Sequence, residues 1–145
     1  MKFKRMITPV VLLSCVVSGV HAQSSISDAL KEVFITNLNA SEREDVDAVM
    51  ATLHTQSPSY RQTRQVAQTL GEKFDLKFEL LSFKYIGRDG EYAVARAKQS
   101  VVKQNSWSKS GYPDNETDMI HVFRQENDQW KIWGSTYLAM KHLNQ

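Results

Sequence analysis

The stretch DLKFELLSFKYIGRDGEYAVARAKQSVVK, residues 75–103, decides the fold of this chain. Apolar and polar side chains alternate up to Leu80, and the apolar phase then moves to Leu81, Phe83 and Tyr85. Such alternation is typical of a half-buried strand, and a change of phase within a strand indicates a β-bulge. We therefore expect a long strand that bends near its middle.

A hairpin turn divides this stretch in two. The segment GRDG at 87–90 contains Asp-Gly, which is a strong signal for a tight turn between antiparallel strands. In the second strand, about 91–103, every other residue from Ala93 to Ala97 is alanine. This row of small side chains indicates close approach by a helix or by a neighbouring sheet face.

Two more strands are expected further along the chain, at about 117–124 and 130–140, with a turn at 126–129. Before the sheet the sequence follows the helical period instead. Apolar residues recur every three or four positions, which predicts helices at about 27–39, 41–57 and 60–73.

Local signals mark the limits of the second helix. Ser41 and Glu44 have the spacing of a capping box at its start, and Pro58 ends it. Three N-terminal helices followed by about four long antiparallel strands predict an α+β domain, with the helices packed on a strongly curved, cone-shaped sheet.

The first 22 residues have the layout of a secretory signal peptide. An apolar run at 6–20 precedes a small-x-small cleavage signature, VHA at 20–22, and follows three basic residues, Lys2, Lys4 and Arg5. The run is too short and too interrupted to span a bilayer. We therefore expect residues 1–22 to be removed and residues 23–145 to form a single exported domain, periplasmic or secreted, without a membrane partner.

The single cysteine, Cys15, lies inside this predicted signal peptide. The sequence LLSC at 12–15 also resembles a bacterial lipobox, in which Cys15 would carry a lipid anchor, but the apolar run continues past it and favours soluble export. Removal of residues 1–22 changes the formal charge from +2 to −1 and leaves no cysteine for a disulfide. No basic stripe with interleaved aromatic residues is present, so we expect no nucleic-acid binding.

Three short motifs occur in a fixed order along the chain: DVDAVM at 45–50 followed by His54, EYAVAR at 91–96, and DQWKI at 128–132. With them, residues 26–140 resemble the nuclear transport factor 2-like superfamily, the cystatin-like cone fold with SnoaL-like members. The resemblance implies an internal pocket at the wide end of the cone and frequent dimerisation through the sheet. This fold hosts isomerases, dehydratases, transport adaptors and assembly domains, so it implies no single activity.

Enzymes of this superfamily need a carboxylate or histidine base inside an apolar pocket, facing a group that stabilises an enolate. His121 is in phase with Met119 and Phe123 and is expected to point inward, whereas His54 lies where relatives place residues of the pocket mouth. No carboxylate falls convincingly at an inward position. The histidines are far apart and lack a cysteine pair, so we expect no metal and no cofactor.

Aromatic residues are the remaining signal for a binding surface. Simple alternation places Trp133 and Tyr137 together, on the face of the last strand opposite to Trp130 and Ile132. An apolar outer face predicts a homodimer that pairs through the sheet at Trp133 and Tyr137. Trp107, in a polar loop, is expected to be a lid over the pocket, an interface anchor, or a side chain folded back onto its own domain.

Together these features predict an exported module without catalytic activity, which binds a small apolar ligand or a protein partner. Its binding residues would be Tyr60, Trp107, His121 and Trp133, with His54 at the pocket mouth. The first alternative is an isomerase or lyase of the same fold that uses His121 or His54 as general base. The second is an assembly domain whose sheet is its working surface.

Overall fold

The computed structural model describes residues 18–104 and 111–143, and the structural statements below concern these residues. Three helices precede four strands, with the bounds α1 Ser18–Glu42, α2 Val46–Ala51, α3 Tyr60–Lys73, β1 Leu76–Asp89, β2 Tyr92–Lys103, β3 Asn115–Glu126 and β4 Gln129–His142. The predicted α+β class is confirmed. Trp107, Cys15 and most of the predicted signal peptide lie outside the described residues. Within the described part, no helix is both long and apolar enough to cross a membrane.

The sheet is an antiparallel meander in which each strand pairs with the next, in the order β1-β2-β3-β4. The first hairpin turn comes later than predicted, because β1 continues to Asp89 and pairs it with Tyr92; Gly90 in the turn has a φ of +57°. The turn between β3 and β4 contains Asn127 and Asp128 with φ angles of 50° and 60°. Two left-handed residues in a two-residue loop form the type I′ turn that suits twisted hairpins.

Four irregularities in strand pairing bend the sheet. The predicted bulge is confirmed, since the register between β1 and β2 shifts between Leu80 and Ser82, and a second shift follows further along β1. Two further shifts lie on the pairing of β3 with β4, at Asp118/Met119 and at Val122/Phe123. Each extra residue increases the local twist and turns the strand, so the sheet curls round the helices.

The core lies between α1 and the inner face of the sheet. The apolar stripe of α1 is buried as predicted, at Leu30, Phe34 and Leu38. Opposite it, the row of alanines on β2 is also buried, with an exposed fraction of 1% or less at Ala93, Ala95 and Ala97. Small side chains on the sheet therefore allow the bulky side chains of the helix to fill the space between the layers.

The second helix is shorter than the sequence suggests, and the prediction of a capping box at Ser41 is wrong. Glu44 instead has a φ of 58° in the turn that follows α1. The N-cap of α2 is Asp45, whose carboxylate accepts a hydrogen bond of 3.0 Å from the backbone N–H of Ala48. The hydroxyl of Ser41 donates to the carbonyl of Asn37 inside α1. Residues 41–44, which were predicted to cap α2, therefore form the end of α1 and the tight turn that follows it.

A short segment after α2 extends the sheet at the edge of β4. The backbone N–H of His54 donates to the carbonyl of Ile132 at 3.0 Å, and the N–H of Ile132 donates to the carbonyl of Thr52 at 2.9 Å. Leu53 pairs with Ile132 as an isolated parallel bridge. Neighbouring residues of an extended segment point to opposite faces, so Leu53 and His54 face different sides of the sheet.

Candidate functional site

A cavity of about 390 Å³ opens between α1, α3 and the inner face of the sheet. Pockets that bind small molecules measure roughly 300–1,000 Å³, so this cavity falls within their range. Its apolar lining comes from both helices, the sheet and the segment after α2: Phe34, Leu38, Leu53, Val66, Phe78, Met119 and Ile132. Val66 is 49% exposed and stands at the rim of the cavity, so α3 supplies an apolar edge to the opening.

The polar groups of this lining are of three kinds. They comprise amides, hydroxyls and one imidazole: Asn37, Ser41, Ser59, Gln62, Thr63, Gln99, His121, Ser135 and Tyr137. Among the described residues that line the cavity there is no Asp, Glu, Lys or Arg. Moving an unpaired ion from water into such surroundings is strongly unfavourable. The cavity therefore suits an uncharged ligand with both apolar and hydrogen-bonding parts.

His121 points inward, as the alternation of β3 predicts, and it is 4% exposed. Its Nδ1 lies 2.7 Å from the hydroxyl oxygen of Ser135, the residue opposite it on β4. The ring centroid is 4.4 Å from that of Phe34 on α1, and the buried Nε2 has no hydrogen-bond partner within the described residues. Burial lowers the pKa of His121 to about 4, because the low-dielectric surroundings disfavour the charged imidazolium.

These surroundings limit what His121 can do chemically. A general base works best when its pKa is near the operating pH, and a pKa of about 4 lies well below neutrality. Its Nε2 is covered by protein atoms, and the described part of the cavity lining offers no carboxylate with which it could share a proton. The arrangement supplies hydrogen bonds to a ligand more readily than it supplies proton transfer.

Of the four residues predicted to bind ligand, the structure places one, His121, in the cavity lining. Tyr60 begins α3 and packs against the hydrophobic core, and it does not line the cavity. Trp133 lies on the other face of the sheet, and Trp107 is outside the described residues. His54 is 4% exposed and is turned away from the cavity, so the structure does not bring it to the mouth.

The prediction that Trp133 and Tyr137 share one face of β4 is wrong. Val122 pairs with Gly134 and Phe123 pairs with Ile132, which makes Trp133 the extra residue of a bulge. After this bulge the phase of β4 reverses, and Tyr137 pairs with Met119 and lines the cavity. Whether a second copy pairs through the outer face stays a prediction.

Trp133 instead belongs to a cluster of aromatic and charged residues on the outer face, which we call the Arg124 cluster: Tyr92, Arg124, Trp133 and His54. The guanidinium carbon of Arg124 lies 4.8 Å from the Trp133 ring centroid and 5.3 Å from that of Tyr92. His54 meets the Trp133 ring edge to face, with centroids 4.9 Å apart. These contacts hold the segment after α2 against β4.

Ser135 lines the cavity beside His121, and the sequence pattern does not predict it as a site residue. Its partner His121 was found from the alternation of β3, but the register of β4 is changed by the bulge at Trp133. The signal that could have found Ser135 is the Gly134-Ser135 sequence, in which small residues follow an apolar run and allow a change of strand direction. Within the described chain, no group of three or more potential metal ligands comes together.

Comparison with known proteins identifies the family and the fold. Residues 32–143 match a family described as the C-terminal domain of the anti-sigma-I factor RsgI9. No curated protein matches the chain. The solved structures that resemble it include nuclear transport factor 2-like, cystatin-like and ketosteroid isomerase-like proteins, which agrees with the resemblance noted in the sequence.

Three of these structures illustrate the likeness. A protein of unknown function with a cystatin-like fold from Nostoc punctiforme has a TM-score of 0.60 and 14% identity, covering 75% of this chain and 86% of its own. A nuclear transport factor 2-like protein of unknown function from Shewanella oneidensis has a TM-score of 0.58 and 13% identity, over 77% and 98%. A ketosteroid isomerase-like protein from Erwinia carotovora atroseptica has a TM-score of 0.57 and 16% identity, over 78% and 96%. At these identities the likeness shows the fold alone.

Proposed function

This chain belongs to the family of the anti-sigma-I factor RsgI9 C-terminal domain and has the nuclear transport factor 2-like fold, and on that premise we propose that it is a small-ligand-binding module without catalytic activity. The observation that carries the proposal is the cavity of about 390 Å³, whose lining has no Asp, Glu, Lys or Arg among the described residues. Small-molecule sites are open concave pockets of this size, in which apolar side chains supply contact area and polar groups orient the ligand.

The family description supports binding rather than turnover. An anti-sigma factor is a regulatory protein, and a domain of such a protein can act by ligand or partner binding alone. We further propose that the protein is exported after removal of residues 1–22. A homodimer through the outer face of the sheet remains part of the proposal, with half-buried apolar residues at the middle of that face: Val94, Ile120 and Val122.

An isomerase or lyase is the second candidate, because similar structures include a ketosteroid isomerase-like protein. An enzyme of this kind would use His121 as its base, since His121 is the imidazole in the described part of the cavity lining. The candidate is weaker for two reasons. The buried Nε2 of His121 is closed off from the cavity, and no acid within the described lining faces it.

Binding of an uncharged, apolar fluorophore tests the proposal. Phenylnaphthylamine should gain fluorescence with the wild-type protein, as it enters the cavity and leaves water. Val66→Trp places a large ring at the rim and should weaken binding strongly, because Val66 lines the opening. Gln65→Trp is the matched control on the same helix, since Gln65 is exposed and does not line the cavity.

Two results would contradict the binding proposal: no fluorescence gain with the wild type, or equal loss in both variants. The second candidate has its own test. Turnover of a β,γ-unsaturated ketosteroid by the wild-type protein, abolished in His121→Gln, would establish an isomerase and remove the non-catalytic reading.

A further inference from the structure

The pairing of His121 with Ser135 has a consequence for what the cavity can recognise. The two residues face each other across β3 and β4 on the inner face, with Nδ1 and Oγ 2.7 Å apart. Ser135 is exposed and lines the cavity, whereas the imidazole behind it is buried. The serine hydroxyl is therefore the cavity-facing end of a two-residue chain of hydrogen-bonding groups.

Which of the two residues donates the hydrogen bond between His121 and Ser135 follows from the other ring nitrogen of His121, Nε2. A neutral imidazole carries one hydrogen, which is either on Nε2 or on Nδ1. Nε2 is buried without a partner in the described residues, and the imidazole lies among apolar rings, with the centroids of Phe34 and Phe123 at 4.4 and 6.4 Å from its own. An orphaned buried N–H is rarer in proteins than an under-used acceptor. The hydrogen therefore belongs on Nδ1, which donates to the hydroxyl oxygen of Ser135.

Once the oxygen of Ser135 accepts from His121, the serine O–H is left to donate. Within the described residues no other hydrogen bond is made by the Ser135 side chain, so this hydrogen is available to the cavity. Donation from Nδ1 also polarises the hydroxyl and makes it a better donor, as in other chains of hydrogen bonds.

The charge of the lining then limits the acceptor that fits. A carboxylate or phosphate would enter a cavity whose described lining has no Lys or Arg to balance its charge. The oxygen of an uncharged carbonyl group needs only one good hydrogen-bond donor. The apolar parts of such a ligand can pack against Phe34, Phe78 and Met119. A ketone or ester thus matches both the hydrogen-bond donor and the apolar side chains of the cavity lining.

We propose that Ser135, oriented by the Nδ1–H of His121, is a hydrogen-bond donor that recognises the carbonyl oxygen of an uncharged ligand in the cavity. The inference rests on the proposed function, since it names the chemistry of the ligand for the same cavity. Ser135 is the specificity-determining residue, and His121 is a positioning residue that acts through it.

A matched pair of probes tests the proposal in the protein as it exists. Benzophenone carries a carbonyl between two phenyl rings, and diphenylmethane replaces that carbonyl with a methylene. The wild-type protein should prefer benzophenone by about three- to tenfold, the range of one neutral hydrogen bond. Ser135→Ala should remove this preference, whereas Thr136→Val should keep it, because Thr136 is exposed and does not line the cavity.

The results of the probe experiment distinguish failure of the proposed function from failure of the inference about Ser135. If neither probe binds, the proposed function fails and the inference fails with it. If both bind equally well, or if the preference survives in Ser135→Ala, the inference alone is overturned.

A second measurement needs no ligand. Nitrogen-15 spectra of the His121 ring at neutral pH should show the tautomer with hydrogen on Nδ1. The Nε2–H tautomer would contradict the proposed direction of the hydrogen bond.

Discussion

Arg124 on β3 lies over the ring of Trp133 on β4, with 4.8 Å between its guanidinium carbon and the ring centroid. The same guanidinium approaches Tyr92 on β2 and donates to the carboxylate of Glu91 at 2.9 Å. Because the side chain of Arg124 is only 21% exposed, its contacts are partly shielded from water. One side chain thus links three consecutive strands on the outer face.

Replacement of Arg124 by methionine keeps an apolar stem but removes the planar cation. We expect Arg124→Met to lower the free energy of unfolding by about 2 kcal/mol, as for a partly desolvated cation–π contact. Arg88→Met is the control, since exposed Arg88 makes a similar contact with Trp130 at 5.3 Å and should lose about 0.5 kcal/mol. Urea denaturation measures both values, and equal losses would contradict the special role of Arg124.

Backbone conformation gives a second test, at the turn between β1 and β2. Gly90 has a φ of +57°, where a residue with a Cβ costs about 1–2 kcal/mol. Gly90→Ala should therefore lower the free energy of unfolding by about 1 kcal/mol. Gly87→Ala is its partner, because Gly87 has no positive φ and nothing lies within 4 Å of an added Cβ. Thermal unfolding measures both stabilities, and an equal loss in the two variants would contradict the positive φ of Gly90.

The fold could be predicted from the sequence because its signals are local. The phase change at Leu81 lies within a few residues of the alternation that it interrupts, and the alanines of β2 show their spacing directly. The site could not be predicted as well. The bulge at Trp133 adds one residue to β4, and it exchanges the faces of the residues that follow until the next register shift, beside Asp118 and Met119, restores the original phase. Tyr137 and Ser135 were therefore misplaced or missed.

His54 shows the same difference between local and distant information. Its position after α2 was clear, but the side to which it points depends on the pairing of this segment with Ile132, which is 78 positions away along the chain. Whether a cavity remains depends on the volumes of the side chains that meet from α1, α3 and the sheet. The periodicity of the sequence does not indicate how these volumes fit together.

The outer face of the sheet carries the dimer proposal. Ile120 lies at its middle, half-buried and paired with Arg96 and Thr136 on the neighbouring strands. Ile120→Glu should convert a dimer into a monomer, because it would bury two carboxylates near the dimer axis. Ile35→Glu, on the exposed side of α1, should leave the mass unchanged. Light scattering measures the mass, and a monomeric wild type would end the dimer proposal.

The lowered pKa of His121 predicts how stability depends on pH. In the folded protein the pKa is about 4, below the ordinary value of 6.5, so the unfolded chain binds more protons between these two values. This contribution is fully present above pH 6.5 and is lost as the pH falls towards 4. The shift corresponds to about 3 kcal/mol of unfolding free energy, which His121→Gln should remove from the pH profile. His142→Gln is the control, because His142 is exposed, and its profile should follow that of the wild type. A wild-type profile that matches His121→Gln between pH 4 and 6.5 would show that the imidazole is not buried in its neutral form.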